Sequence, residues 1–268
     1  MESVRGRKYF WAQRECLVFR KEAPTPEFWD ALWREKREAD LVACRPPRGN
    51  FITRETQAFL PVGSRILEGG CGTGLYARYL AELGYEVVAM DWAEETVDWI
   101  RKNIPALKAV KADLRSIPYP DLYFDGYWSL GVIEHFYEGY DPLLGEMARV
   151  IRPGGILFLT FPYMSPVRKI VAKLGLFPKW SETHRSEFYQ FALDHNQVIR
   201  DLCPNFRVVR TKALLGASGL GDLCPFLEPV FDWLRSRGKA GKKVMAGLDR
   251  LLSPAFGHIR LLVLERRA

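Results

Sequence analysis

Short apolar segments alternate with amphipathic stretches through the middle of the chain. The stretches between the apolar segments place apolar residues three and four positions apart, as helices do. Five strands are predicted in this way, at residues 65–68, 86–90, 107–110, 123–130 and 156–161. Helices are predicted between them at residues 75–83, 94–103 and 140–151. Because short buried strands joined by helices form parallel sheets, the pattern predicts an α/β fold.

The first sixty residues have a different pattern. Residues 1–60 are predicted to be helical and amphipathic, with one helix that begins at Pro26 and carries Phe28 and Leu32 on one face. Prolines and a glycine at residues 46–50 interrupt this helix, and a short helix follows up to Leu60. We therefore expect an N-terminal helical cap at residues 1–60 and a main domain at residues 61–268.

Beyond Pro162 the alternation is less regular. The predicted elements there are a basic amphipathic stretch, a helix, a strand, two helices inside a long insert (216–254) and a last strand; in chain order they occupy residues 164–180, 193–202, 206–213, 226–237, 242–252 and 259–265. A tight turn, Arg152-Pro153-Gly154-Gly155, is expected before the strand at 156–161. Segments 164–192 and 214–256 are interpreted as insertions in the main domain.

Composition places the chain among ordinary globular proteins. The 268 residues are 48% hydrophobic and 26% charged, which is enough for one α/β domain with additions. No apolar run reaches the roughly 18 residues of a transmembrane helix, and the first residues lack a signal-peptide pattern, so we expect a cytoplasmic protein. The cysteines have neither metal-ligand spacing nor a disulfide pattern, and we expect reduced thiols; they are Cys16, Cys44, Cys71, Cys203 and Cys224.

The net charge of +7 is distributed unevenly. Residues 1–60 carry 12 basic and 9 acidic side chains, residues 61–163 carry 9 and 14, and residues 164–268 carry 18 and 9. The three segments therefore have net charges of +3, −5 and +9. A basic last third favours an anionic partner, and an ordinary solvated surface is the alternative.

The glycine-rich segment Glu68-Gly69-Gly70-Cys71-Gly72-Thr73-Gly74 lies between a predicted strand and a predicted helix. Glycines there allow a tight turn and a close approach to a ligand, and the next helix presents free amides. The segment alone leaves the cofactor open. Residues 72–77 also fit the GxGxxA dinucleotide fingerprint, and Asp91 lies 19 residues after Gly72, so an NAD-binding protein is one interpretation.

Acidic residues at three strand ends favour a different cofactor. Glu68 directly precedes the glycines, where it would repel a pyrophosphate but suit the ammonium and sulfonium groups of S-adenosylmethionine (SAM). Asp91 ends the second strand, where its carboxylate could accept from both ribose hydroxyls. Asp113 follows the third strand, where it could accept from the adenine amino group. The turn at residues 152–155 is the fourth feature of the pattern.

Five segments occur in the same order as the motifs of a known family. They are ILEGGCGTG, VVAMD, VKADL, FDGYWSLGVIEHF and EMARVIRPGGILFLTFP. They resemble the motifs of class I SAM-dependent methyltransferases, especially the group of ubiquinone and menaquinone methyltransferases and small-molecule O-methyltransferases. The resemblance covers residues 50–163 and extends weakly to 268. It implies a Rossmann-like, mostly parallel seven-stranded sheet of order 3-2-1-4-5-7-6, with helices on both faces and strand seven antiparallel. Strands six and seven would flank a helical insert of about 45 residues.

The resemblance also implies roles for individual residues. Glu68 would order the glycine loop and the amino-acid end of SAM, and Asp91 would hold the ribose. Trp92 would lie beside the adenine, although a plain core position at a helix start is the alternative. The remaining cofactor-binding residues implied are Gly70, Gly72, Gly74, Asp113, Leu114 and Leu130. The product would be S-adenosylhomocysteine.

The candidate catalytic residues follow the fourth strand, in Gly131-Val132-Ile133-Glu134-His135. If the acceptor is a hydroxyl, a base helps to remove its proton, and His135 is the candidate base with Glu134 beside it. The alternative is that both residues only shape the pocket. Related metal-binding methyltransferases carry Glu-x-x-Glu-His here; because Gly131 stands at the first glutamate position, no metal site is predicted.

The acceptor is expected to be a small molecule, methylated on an oxygen of a lipid-linked, quinone-like or glycan group. The segments expected on the acceptor side are aromatic or basic. Their basic amphipathic helices would form a lid, contact an anionic lipid or membrane surface, or only pack on the sheet. The open alternatives are an RNA methyltransferase, which the pI of about 9.2 supports, and a non-catalytic SAM-binding protein.

Overall fold

The computed structural model describes residues 8–42 and 50–268. The helices are α1 (Pro26–Val42), α2 (Phe51–Phe59), α3 (Leu75–Glu82), α4 (Glu94–Asn103), α5 (Asp141–Val150), α6 (Pro166–Lys173), α7 (His195–Leu202), α8 (Gly216–Leu223), α9 (Glu228–Ser236) and α10 (Gly238–Phe256). The strands are β1 (Lys8–Trp11), β2 (Cys16–Arg20), β3 (Arg65–Gly69), β4 (Glu86–Asp91), β5 (Lys108–Lys111), β6 (Phe124–Leu130), β7 (Ile151–Pro162), β8 (Phe188–Ala192), β9 (Phe206–Leu214) and β10 (Ile259–Arg266). The predicted break at residues 46–50 lies, except for Asn50, outside the described residues.

A seven-stranded sheet has the order β5-β4-β3-β6-β7-β10-β9. Strand β3 pairs in parallel with β4 and with β6, and β4 pairs in parallel with β5, whereas β10 is antiparallel. In chain order of the sheet strands this is 3-2-1-4-5-7-6, so the predicted Rossmann-like fold is confirmed. Parallel strands place their carboxyl ends at one edge, where open α/β sheets bind ligands.

The centre of this sheet is held by an aromatic pair on neighbouring strands. The rings of Trp128 and Phe158 are stacked, with centroids 4.3 Å apart and planes 10° apart. The Trp128 indole N–H donates to the Thr56 hydroxyl (2.9 Å), and that hydroxyl donates to the carbonyl of Ile52 (2.8 Å). Trp128 and Thr56 are fully buried, so this hydrogen bond fixes α2 against β6 in a site without water to replace it.

The chain divides into two compact units. One unit comprises Ala23–Leu159, Asp201–Arg210 and Leu262–Ala268; it contains α1 to α5, strands β3 to β6 and the glycine loop. The other comprises the described part of Met1–Glu22 together with Thr160–Arg200 and Thr211–Leu261, and it contains α6, most of α7, and α8 to α10. This second unit is called the insertion unit below.

The helical prediction for residues 1–60 is correct for α1 and α2 and wrong for residues 8–20. Strands β1 and β2 form an antiparallel pair, and β2 pairs with β8, which lies far along the chain. Four consecutive residues of β2, from Cys16 to Phe19, are buried. A short apolar run of this kind has no periodicity that separates strand from helix, and the pairing with β8 decides it.

The insert between β9 and β10 contains three helices rather than the two that were predicted. The predicted helices at 226–237 and 242–252 correspond to α9 and α10, and α8 precedes them. Buried Ala217, Phe231 and Met245, one from each helix, form their common core. In the stretch at residues 164–180, only α6 is α-helical.

The turn predicted at residues 152–155 is part of β7, which begins at Ile151. Gly154 keeps a φ of 72°, a left-handed value that favours glycine. The strand therefore begins at Ile151 and includes the predicted turn, whereas the sequence predicted its start at residue 156. Among the described residues, no helix is both long and apolar enough to cross a membrane.

Candidate functional site

The glycine loop follows β3 and ends where α3 begins at Leu75. Gly70, Gly72 and Gly74 have φ values of 74°, 51° and 74°, which residues with a Cβ rarely adopt. A Cβ on Gly70 would lie 2.5 Å from a methyl of Val132. The glycines predicted to approach the cofactor are thus required by the backbone itself.

Asp91, the last residue of β4, connects that strand to the loop. Its Oδ2 accepts from the amide of Gly72 (2.8 Å), and its Oδ1 accepts from the amide of Ala93 (3.1 Å). The carboxyl is buried, and burial raises its pKa while these amides oppose the rise. Each carboxylate oxygen has a second lone pair, so the residue could accept ribose hydroxyls while it holds the loop.

Glu68 is the acidic residue of the glycine loop, and one oxygen of its carboxyl lacks a hydrogen-bond partner in the described part of the chain. The side chain is 2% exposed, and its Oε2 has no hydrogen-bond partner among the described residues. Burial raises its pKa to about 8, against the backbone hydrogen bond from Ala77. A buried carboxylate oxygen without a partner is costly, and a cationic group would relieve the cost. The site therefore fits the ammonium end of SAM.

Asp113 and Leu114 follow β5, as predicted. The amide of Ala112 donates to the carbonyl of Asp91 (3.0 Å), which brings this segment beside the end of β4. Asp113 forms a bidentate ion pair with Arg115, whose Nε donates to Oδ1 (3.0 Å) and whose Nη2 donates to Oδ2 (2.6 Å); these hydrogen bonds hold the pKa of Asp113 below its usual range. Leu114 is buried, and one of its methyls lies 3.1 Å from where a Cβ on Gly69 would be. The pairing with Arg115 was not predicted.

Trp92 and Leu130 are both half-buried at the carboxyl ends of their strands. Trp92 faces Phe136, with ring centroids 6.4 Å apart. Leu130 ends β6 and precedes Gly131, whose φ is 70°. Trp92 is thus an aromatic surface beside Asp91, the place expected for an adenine ring.

Helix α1 contributes contacts that sequence reasoning missed. Trp33 lies against Gly72, with ring carbons 2.9 Å from the position of a Cβ on that glycine. The Thr73 hydroxyl donates to Asp40 (2.7 Å), and Asp30 accepts from the amide and the hydroxyl of Thr96 (2.8 and 2.7 Å). Residues 30, 33, 37 and 40 recur three and four apart, and this spacing was the available signal.

Glu134 and His135 lie in a 3-10 helix (Ile133–His135) after β6. Glu134 is buried, its Oε2 has no partner among the described residues, and burial raises its pKa to about 8. The ring of His135 meets Trp29 edge to face, with centroids 4.8 Å apart. The structure therefore places His135, which follows the buried Glu134, next to an aromatic side chain of α1.

Two further observations concern ligands of metal ions. Within residues 8–42 and 50–268, no group of three or more His, Cys, Asp or Glu side chains is arranged to hold a metal. A Cβ on Gly131 would lie 3.3 Å from Oε1 of Glu134, so a glutamate at position 131 would start beside the Glu134 carboxyl. Because residue 131 is glycine, it supplies no second carboxylate at this place.

The loop, its two buried acids and the sheet order define a class I SAM-dependent methyltransferase domain. Residues 67–159 match the family described as "Methyltransferase domain". This match identifies residues 67–159 as a methyltransferase domain, and SAM is its cofactor, which decides between the two cofactors that the glycine loop left open.

Relatives among characterised proteins agree with this assignment. Over 148 residues the chain is 30% identical to the malonyl-[acyl-carrier protein] O-methyltransferase of Enterobacter lignolyticus, covering 55% of this chain and 53% of that protein. Over 156 residues it is 31% identical to the ubiquinone biosynthesis O-methyltransferase of Xanthomonas axonopodis pv. citri, covering 55% and 61%. The chain thus spans little more than half the length of these relatives.

A solved structure supports the fold. The TehB-like SAM-dependent methyltransferase of Corynebacterium glutamicum superposes with a TM-score of 0.52 over 90% of this chain and 98% of that one, at 18% identity.

Proposed function

We propose that this protein transfers the methyl group of SAM to an oxygen atom of a small, apolar, quinone-like or lipid-linked acceptor. The observation that carries the proposal is the buried carboxyl of Glu68, whose Oε2 has no partner among the described residues, beside three left-handed glycines. Both sequence relatives described above are named as O-methyltransferases, which supports oxygen as the acceptor atom.

The protein's part in this reaction is mainly to bind and orient. SAM, when bound, supplies an electrophilic methyl group, and in-line transfer to an acceptor depends on proximity. Glu68 would bind the ammonium group and Asp91 the ribose hydroxyls. Trp92 would support the adenine, and Asp113 would accept from its amino group.

Removal of the acceptor proton falls to Glu134 and His135. A carboxyl whose pKa is about 8 is close to the range in which a general base works at neutral pH. His135 lies beside it in sequence and faces Trp29. We assign removal of the acceptor proton to this pair. We place His135 nearer to the acceptor than Glu134, because His135 is the more exposed of the two.

The aromatic residues around His135 favour an apolar ring or chain over a sugar. Phe28 and Trp29 meet edge to face at 5.1 Å, and Trp29 stacks on Trp33 at 5.7 Å. Such a cluster binds apolar or aromatic groups through buried area and ring contacts. RNA binding needs an excess of cations, whereas residues 61–163, which contain the glycine loop and the Glu134–His135 pair, have a net charge of −5.

The test is methyl transfer from radiolabelled SAM to a panel of an alkylated catechol, a medium-chain fatty acid, a sugar and total RNA. We expect labelled catechol or fatty acid, and a rate about a hundredfold lower for Glu134→Gln and His135→Asn. Glu86→Gln, which alters an exposed carboxyl at the start of β4, is the control. Transfer to RNA alone, or SAM binding without any product, would refute the proposal.

A further inference from the structure

In the described part of the insertion unit, three side chains with an unpartnered, buried nitrogen contact Tyr163; they are Arg168, His195 and Arg260. Tyr163 follows β7 and is fully buried, and its hydroxyl has no partner among the described residues. The guanidinium of Arg260 lies 4.2 Å from the centre of its ring, and the ring of His195 lies 5.8 Å away. Nε of Arg260 and Nδ1 of His195 are also buried and unpartnered.

Arg168 completes this group from α6. It is 0% exposed, and its Nη1 donates to the carbonyl of Tyr163 (2.9 Å). Its Nη2 donates to Asp222 (2.7 Å) and contacts Nδ1 of His258 (2.7 Å), while Nε has no partner. Asp222 also pairs with Lys8. One carboxylate therefore serves two cations, and a fully buried arginine keeps one N–H unused.

The charge of this group is positive. Burial and the neighbouring Arg168 lower the pKa of His258 to about 4, so its ring is neutral. Lys8 and Arg168 share Asp222, and the guanidinium of Arg260 has no carboxylate partner among the described residues. Burial also lowers the pKa of Arg260. A buried cation without a counter-charge is costly, and an anion would recover that cost.

We propose that Tyr163, Arg168, Arg260 and His195 form a binding site for a small oxyanion, the carboxylate or phosphate group of an organic acid or phosphate ester. The hydroxyl and the two Nε–H groups donate to the oxyanion, and His195 donates from Nδ1 in the matching tautomer. This site lies entirely within the insertion unit and does not depend on methyl transfer.

The experiment is calorimetric titration with inorganic phosphate and, separately, with acetate, against chloride at equal ionic strength. We expect binding of phosphate or acetate, whichever group the site takes, and at least tenfold weaker binding by Tyr163→Phe and Arg260→Gln. Arg207→Gln, which alters an exposed arginine paired with Glu265, should leave binding unchanged. SAM binding is measured on each variant to confirm folding and to separate this site from the methyltransferase site.

Two results would overturn the oxyanion site. One is the absence of any heat beyond that of chloride with both anions. The other is equal phosphate affinity in the wild type, Tyr163→Phe and Arg260→Gln.

A second feature of the insertion unit is an exposed apolar surface, called the outer face below, formed by α9, α10 and the 3-10 helix (Pro225–Leu227) that precedes α9. Phe226, Val230 and Trp233 recur four and three residues apart and are 76%, 51% and 53% exposed. Val244 and Leu251, seven apart on α10, are also exposed. The opposite sides of these helices already pack through Phe231 and Met245 in their own core. The outer-face residues are therefore not needed to hold the helices together.

Basic side chains accompany the outer face. Residues 225–256 contain six lysines and arginines and three acids, and Lys239, Lys242 and Lys243 are exposed. Arg237 lies over the Trp233 ring at 4.4 Å. Apolar and aromatic residues between cations are typical of helices that lie on an anionic membrane. A partner protein of neutral surface would gain nothing from these cations.

Independently of the oxyanion site, we infer that the outer face docks on an anionic membrane surface. The test is sedimentation with phosphatidylcholine vesicles that contain or lack phosphatidylserine. We expect binding to the anionic vesicles only, about fivefold weaker for each lysine charge removed in Lys242→Gln and Lys243→Gln, and lost in Trp233→Ser. Val62→Ser changes a residue that is 66% exposed outside the insertion unit and serves as the control.

Equal binding to neutral and anionic vesicles, or no binding to either, would refute membrane docking. A dimer in sedimentation equilibrium that Trp233→Ser dissociates would assign the outer face to a second copy of the chain instead.

Discussion

The indole of Trp33 lies against the backbone of Gly72, so closely that the ring carbons are 2.9 Å from the place a Cβ would occupy. Gly72 is also the glycine whose amide donates to Asp91. One side of this residue is thus closed by α1 and another is fixed by β4. The loop conformation is set by both elements, and a change at either should reach the cofactor.

Gly72→Ala is expected to weaken SAM binding at least tenfold. The new methyl meets Trp33, and a φ of 51° strains any residue with a Cβ. Trp33→Ala in the same protein should restore part of the loss, which calorimetry on the two single variants and the double variant would measure. Gly145→Ala places a methyl in open space on α5 and is the control. Independent, additive effects of the two substitutions would contradict the contact.

Asp91→Ala is expected to weaken SAM binding by about 1–3 kcal/mol, because charge-assisted hydrogen bonds to the ribose and the loop are lost. Asp91→Asn keeps the size of the side chain and separates packing from charge. Asp98→Ala, which removes an exposed carboxylate on α4, should bind SAM normally. Unchanged affinity in Asp91→Ala would remove this residue from the cofactor site.

SAM affinity is expected to rise with pH between about 6 and 7.5. Burial raises the pKa of Glu68 to about 8, so the free protein holds a proton that must leave when a cation binds. Calorimetry in buffers of different ionisation enthalpy should detect its release. The dependence should vanish in Glu68→Gln and persist in Glu134→Gln, whose carboxyl has a similar pKa.

The same shift affects stability. The pKa of Glu68 is about 8 in the folded protein and 4.5 in the unfolded chain. Between pH 4.5 and pH 8 the folded protein therefore binds this proton more tightly than the unfolded chain does. Its contribution to stability is therefore greatest below pH 4.5 and declines as the pH rises towards 8. Urea denaturation of the wild type and of Glu68→Gln across this range would measure the difference.

Asp30→Ala is expected to reduce the free energy of unfolding by about 1 kcal/mol. Asp30 accepts from amides of Glu95 and Thr96 at the start of α4, whose own preceding residue, Ala93, provides no side-chain cap. Urea denaturation would show the loss, and Glu35→Ala, at an exposed position of α1, is the matched control. Equal stability of the two variants would show that Asp30 does not cap α4.

The elements that sequence reasoning found are those with a local signature. Strands β3 and β4 are continuous apolar runs, and Glu68 and Asp91 were identified because each directly follows such a run. Helix α8 was missed because it contains three glycines, which disfavour isolated helices. In the structure a Cβ on Gly216 would lie 2.6 Å from the backbone of Leu252, so glycine is needed where α8 and α10 pack closely.

Contacts between distant parts of the chain could not be predicted. Trp33 and Asp40 reach the glycine loop across more than thirty residues; their spacing places them on one face of α1, but it does not say which part of the chain that face contacts. The pairing of Asp113 with Arg115 is local, but it was not predicted, because the family resemblance assigned the Asp113 carboxylate to the adenine amino group. The side chains that contact Tyr163 come from three separate elements, α6, α7 and β10.

Strand β10 lies between β7 and β9 in the sheet. Strand β9 precedes β10 in the chain. It cannot join the sheet next to β7 until residues 259–266, which form the strand between them, have been synthesised. During translation the growing protein therefore carries two unsatisfied strand edges while the helices of the insert emerge. Those edges are sites for chaperone binding or mispairing on the ribosome, and a nascent chain arrested within α10 would expose them.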